Sequence, residues 1–172
     1  SEQTIAVKPD EGEYDATMGP NNRDSNFKFK FHQVLHNSSQ ETVYDTIGRE
    51  VVQGVVDGTN GTIMSYGQTG SGKTFTMVGD TSNYPHRGVA PRALSHIFQE
   101  VNLRMETEYV VRCTYMEIYN EKIFDLLADL SSAEARTEFT IGEEKGGRGV
   151  HVRGLTEVAV KSEEEALNLL FS

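Results

Sequence analysis

The sequence predicts an α/β fold in which a central, mostly parallel sheet carries helices on both faces. Three observations support this. Strand-like and helix-like stretches alternate along the chain, the pattern of an α/β sheet. Residues 62–66 (TIMSY) form a short, continuously apolar run, as expected of a strand buried on both sides. A glycine cluster and then helical spacing follow that run at once.

The elements can be justified in order. The first 26 residues are polar and turn-rich, with a short strand expected at residues 4–7. In FKFKFHQVL, Phe27, Phe29 and Phe31 alternate with lysines, the period of a half-buried strand. A helix should then open at Ser38, with Glu41 three residues on completing a capping box. Val43, Ile47, Val51 and Val55 would be its apolar stripe, and Gly58 its C-terminal cap. Residues 89–101 resume helical spacing, with Ala90, Leu94, Ile97 and Val101 on one side. EYVVRCTYMEIYN reads as one long β run, and EKIFDLL as a short apolar piece of undecided type. Residues 128–138 read as a loop, and residues 139–160 as a hairpin with residues 145–149 at its tip. Ser162 and Glu165 make a second capping box ahead of a last helix.

Bulk properties narrow the function classes. The chain has 172 residues, 37% hydrophobic and 24% charged, enough for one sizeable core. Neither a membrane-length apolar run nor a basic-then-apolar leader is present in it, so no membrane insertion is expected. A formal net charge of −10 argues against a generic nucleic-acid binder. The single cysteine, Cys113, fits a reducing compartment and reads as a small core residue. The tripeptides at Asn37 and Asn60 are therefore read as coincidental sequons. Glu117 and Glu121, four apart on a strand, read as structural, and His86 and His96 lack metal-ligand spacing.

The glycine cluster carries the chemistry. Gly67, Gln68, Thr69, Gly70, Ser71, Gly72, Lys73 and Thr74 fit G-x-x-x-x-G-K-[ST], the phosphate-binding loop. Glycines let successive backbone N–H groups turn toward an anion, and a helix starting near Lys73 would aim its positive end there. Lys73 would reach the outer phosphates, and the Thr74 hydroxyl would ligate Mg²⁺. Four matched positions arise by chance in about one chain in two hundred of this length, given glycine at about 7% of residues. The preceding apolar run sharpens the reading to a nucleoside-triphosphate site.

Wider features follow in a fixed order: YGQTGSGKTFTM, RGVAPRAL, YMEIYNEKIFDLL and HVRGLTEVAV. Together they resemble the kinesin motor domain over nearly all of residues 27–171. FKFHQVL resembles the kinesin F-x-F-D-x-V-F strand, with His32 where aspartate is usual. NYPHRG and LNLLF are most similar to the ninth class of kinesins, associated with cilia and flagella. The resemblance implies a P-loop NTPase-type motor core that binds ATP with Mg²⁺, hydrolyses it, and moves along microtubules. It implies the cytoplasm and cytoskeleton, and a ciliary or flagellar axoneme, as location. Tyr44 and Phe75 would contact the adenine ring. Lys145, Arg148, His151 and Arg153 would form a basic hairpin tip against acidic tubulin.

On that resemblance, residues 1–172 read as one partial motor domain, without the first strand, switch I, switch II or neck linker. The catalytic water-handling residues are then expected beyond Ser172, and any oligomerisation through a stalk. Alone the segment is expected to be inactive and not to fold stably. Two other readings stand beside the motor: a non-motile axonemal microtubule component that keeps the nucleotide site, and a small-molecule kinase or GTPase using the same loop.

Overall fold

A computed structural model describes residues 3–7, 27–128, 139–143 and 149–171. The chain divides into two compact units, Ser1–Ser38 and Ser39–Ser172. In the first, β1 (Thr4–Val7) pairs antiparallel with β2 (Phe27–Lys30), with Ile5 opposite Phe29. The expected strands form here. The expected one-sided burial does not, since both the phenylalanines and the lysines of β2 are exposed.

The second unit opens with α1 (Gln40–Ile47) and α2 (Arg49–Val56), joined almost without interruption at Gly48. Ser39, one residue later than expected, is the N-cap, accepting from the Thr42 N–H at 3.1 Å. At the far end Gly58 takes a φ of +98°. Its N–H donates to Val55 O and that of Thr59 to Gly54 O, a Schellman closure. The apolar stripe is rotated from the expected one. Gln40, Tyr44, Gly48 and Val52 are the buried positions, while Ile47 and Val55 stay exposed. Gly61 covers part of the expected stripe instead, so close that a Cβ there would lie 2.7 Å from Val51 and Val55.

Residues 59–67 form no strand, and Met64 and Tyr66 point into solvent. A strand exists only through its pairing, and among the described residues no strand pairs with this run. The short helix α3 (Lys73–Met77) follows, then a 3-10 turn at Tyr84–His86, then α4 (Val89–Leu103).

The long β run divides, because its two halves take different partners. β3 (Val111–Cys113) pairs antiparallel with β8 (Val158–Val160). β4 (Met116–Tyr119) forms a hairpin with β5 (Lys122–Asp125). That hairpin turns on Asn120 and Glu121, both at positive φ (49° and 62°), the conformation a two-residue hairpin turn requires. β6 (Thr140–Glu143) and β7 (Val150–Arg153) form a hairpin shorter than the one expected over residues 139–160, because Val158–Val160 pairs with β3 instead; residues 144–148 lie outside the described residues. Every ladder in the described chain is two-stranded and antiparallel, so the expected central parallel sheet is not among them. The last helix, α5 (Glu163–Phe171), begins at the predicted box: Glu165 N–H donates to Ser162 Oγ at 3.2 Å, and its carboxylate accepts from Lys161 N–H at 2.7 Å.

Two apolar clusters meet on α4. Tyr44, Val52 and Val89 form one, with Ala93, Ile97, Ile63 and Met77 packed around them. Phe98, Val160 and Ala166 form the other, with Leu94, Val111 and Cys113 at its edge. Burial holds the Cys113 thiol above its ordinary range, as suits a cysteine acting as a small hydrophobe. Polar ties close the seams. Tyr44 Oη and His96 Nδ1 lie 2.8 Å apart, Ser95 Oγ donates to Glu163, and Arg104 reaches Asp57 at 2.6 Å.

At Gly48 an added Cβ would stand 2.6 Å from Cδ2 of the buried Tyr44 ring. The ring cannot yield, because His96 and the first cluster hold it. Alanine normally favours a helix over glycine by about 1 kcal/mol; here overpacking should reverse the sign. Gly48→Ala is expected to destabilise the folded protein by about 1–3 kcal/mol, measured as a lowered urea midpoint. An unchanged or raised midpoint would contradict this packing.

Candidate functional site

The glycine cluster is built as a turn that runs directly into a helix. Gly70 and Gly72 sit at φ +80° and +86°, which glycine alone adopts without strain. Ser71 N–H donates to Gln68 O at 3.2 Å, and Thr76 N–H to Gly72 O at 2.8 Å as α3 begins. The Lys73 ammonium folds back over the loop, donating to Gly67 O at 2.8 Å and Gln68 O at 2.7 Å. The two ends of the motif are thereby brought together. Thr69, Gly70 and Ser71 are exposed, as is Thr74 on the first turn of α3. The turn is open to solvent.

Phe75 and Tyr44 lie in different surroundings. Phe75, one residue past Thr74, is 55% exposed. Tyr44 is 4% exposed and belongs to the first core cluster, with its ring edge toward His96. Burial, offset only in part by Arg49, raises the pKa of its hydroxyl. Its ring therefore offers little surface to a ligand.

The segment between α3 and α4 locks the two helices together. Gly88 N–H donates to Val78 O at 2.8 Å, and Asp80 N–H to His86 O at 3.0 Å. From α4, Arg92 holds the carbonyls of Arg87 at 2.9 Å and Pro85 at 3.0 Å. Arg87 stacks over Tyr84 and over Phe171 of α5, 5.3 and 5.7 Å from the ring centres.

At the second hairpin, His151 and Arg153 occupy alternate positions of β7 and so share a face. Arg153 Nε donates to His151 Nε2 at 3.3 Å. Nδ1 of His151 is buried and has no hydrogen-bond partner among the described residues. Lys145 and Arg148 lie outside the described residues.

Sequence reasoning passed over Gln40. It is 8% exposed at the first position of α1, and its Nε2 donates to the Phe75 carbonyl at 2.7 Å across 35 residues. The only signal was its place four residues ahead of Tyr44, on the face that proved to be buried.

Comparison with known proteins decides the family. The family model described as "Kinesin: Kinesin motor domain" matches residues 2–172. The chain belongs to the kinesin motor-domain family. It is 48% identical over 158 residues to Kinesin-like protein KLP1 of Chlamydomonas reinhardtii, a match covering 91% of this chain and 20% of that protein. To Kinesin-like protein KIF9 of Homo sapiens it is 47% identical over 152 residues, covering 88% and 19% respectively. Kinesin-like protein KIF15 of Strongylocentrotus purpuratus is 43% identical over 149 residues, covering 81% and 10%. The chain thus spans about a fifth or less of the length of these kinesin relatives. Membership brings with it the family's phosphate-loop α/β fold. No described helix is long and apolar enough to cross a membrane.

In this kinesin loop the two positive-φ glycines should tolerate substitution differently from Gly67, whose φ is unexceptional and whose missing Cβ faces only the Ser71 side chain and the Lys73 stem. Gly72→Ala is expected to cost about 1–2 kcal/mol of backbone strain, read as a lowered urea midpoint, and Ser71→Ala should not relieve it. Gly67→Ala should be relieved by Ser71→Ala. Equal behaviour of the two pairs would show that the loop has a different backbone.

Proposed function

We propose that this kinesin chain is the nucleotide-binding part of an ATP-hydrolysing microtubule motor that works in a cilium or flagellum. The carrying observation is the loop at Gly67–Thr74: two left-handed glycines, a lysine folded over the turn, and an exposed threonine hydroxyl opening a helix. Membership of the kinesin family gives that loop its ligand, and the resemblance of NYPHRG and LNLLF to the ninth class gives the location.

In this reading the amides of Gln68, Thr69, Gly70, Ser71 and Gly72 surround the phosphates of ATP. Lys73 supplies the full positive charge toward the outer phosphates. Mg²⁺ is carried largely by phosphate oxygens and water, as is usual for this ion, so one hard protein oxygen suffices, and Thr74 presents one. When bound, the ion neutralises charge between the outer phosphates. Phe75, with its open ring face, contacts the adenine. Tyr44 supports the base from inside the core through α1 rather than by stacking on it. His151 and Arg153, with Lys145 and Arg148, meet the acidic surface of tubulin, a contact that sets encounter rate more than affinity.

Replacing Lys73 removes the charge that this reading assigns to the phosphates. In the full-length protein, Lys73→Ala is expected to lower microtubule-stimulated ATPase by about 100-fold or more and to abolish nucleotide-dependent release from microtubules in a cosedimentation assay. An ATPase rate close to wild type would refute the site.

A further inference from the structure

We propose that Gln40 is a positioning residue for the base end of the nucleotide site, acting through the backbone carbonyl of Phe75. This rests on the reading of residues 67–74 as a phosphate loop. Helix α3 has five residues, and a helix end leaves its last carbonyls without partners in the helix. The Phe75 carbonyl is one of these. Its expected donor, the N–H of Gly79, is directed instead to Thr74 O at 3.1 Å, which also accepts from Val78 at 2.8 Å. Gln40 supplies the missing donor at 2.7 Å.

The donor is held where it must be. Gln40 is the first residue of α1, set by the Ser39 cap behind it and by the buried Tyr44 one turn ahead. At 8% exposure its amide has little water to fall back on, so breaking the bond costs both groups their partner. Phe75 follows Thr74 directly and presents a half-open ring. A fixed carbonyl at Phe75 fixes the Cα from which that ring projects. Gln40 thereby ties the base-contacting residue to the α1–α4 core, whereas the phosphate-contacting turn ahead of it is held by its own hydrogen bonds and by Lys73.

The experiment compares two ligands in the full-length protein: Mg-ADP and Mg-pyrophosphate, which lacks the base. Gln40→Met keeps the side-chain length and removes the donor. It is expected to weaken ADP binding about tenfold and pyrophosphate binding less than twofold. Equal losses for both ligands, or no loss, would overturn the proposal. Gln40→Glu decides the matter independently, should the methionine variant fold poorly. Its ionised carboxylate has no donor for Phe75 O, whereas the protonated acid has one. ADP affinity relative to wild type should therefore be low at pH 8 and recover on acidification; a flat ratio would also overturn it. Lys73→Ala serves as the control for the underlying site. If that variant binds both ligands normally, the phosphate-loop reading falls. If it loses both while Gln40→Met loses neither, only the role of Gln40 falls.

Discussion

Helix α4 must bury two faces at once, and the larger unit is arranged around that constraint. Val89, Ala93 and Ile97 recur every four residues and face Tyr44 and Val52. Leu94 and Phe98, set one residue on from Ala93 and Ile97, face Val160 and Ala166. One residue is about 100° of helix, so the two stripes diverge and α4 can stand between α1–α2 and α5. Such a helix cannot be displaced without opening both clusters. Two of its polar residues and the residue that caps its C-terminus tie it to partners: His96 to Tyr44, Ser95 to Glu163, and the cap Arg104 to Asp57.

The glycine-rich loop at residues 67–74 inherits its position from this helix. Five residues of α3 cannot sustain a helix in isolation, so α3 must be held from outside. Gly88 stands so close to the end of α3 that a Cβ would lie 2.6 Å from the Met77 carbonyl carbon. Arg92 holds the intervening turn by two of its carbonyls, and Gln40 holds α3 at the Phe75 carbonyl. The glycines of the loop contribute flexibility of conformation. The rigidity comes from α1 and α4.

Much of this was legible in the sequence where one residue type has one physical use. Gly70 and Gly72 could be read as left-handed turn positions, Gly58 as a helix stop, and Ser162 with Glu165 as a helix start, because few other residues meet those needs. The stripe on α1–α2 was misread for the opposite reason. Val43, Ile47, Val51 and Val55 are all apolar, whereas the buried face contains Gln40 and Gly48, which hydrophobicity alone would leave out. Gln40 is inside for its hydrogen bond and Gly48 for its lack of a side chain. Ser38 and Ser39 are chemically equivalent caps, so their choice depended on the approach of the chain. The β run at residues 108–120 divided because propensity belongs to single residues and pairing does not: Val111 meets Val160, while Met116 meets Asp125. The same distinction separates the apolar composition of residues 62–66 from the strand that was expected there.

The lysine of the loop shows how backbone geometry and charge are linked at the site. In a trans peptide the carbonyl and the following N–H point in opposite directions. The carbonyls of Gly67 and Gln68 are turned toward Lys73 Nζ, so the N–H groups of Gln68 and Thr69 are turned away from it. An ammonium has three donors, and two of them lie on these carbonyls. A phosphate oxygen carries full negative charge and is the stronger acceptor. An anion that engages both the amine and the amides must therefore draw Lys73 off at least one carbonyl or rotate the peptide that bears it. Anion binding of that kind would for that reason be a change in the loop's own hydrogen bonds, and the residues that anchor α3 would set how much of the change is confined to the turn.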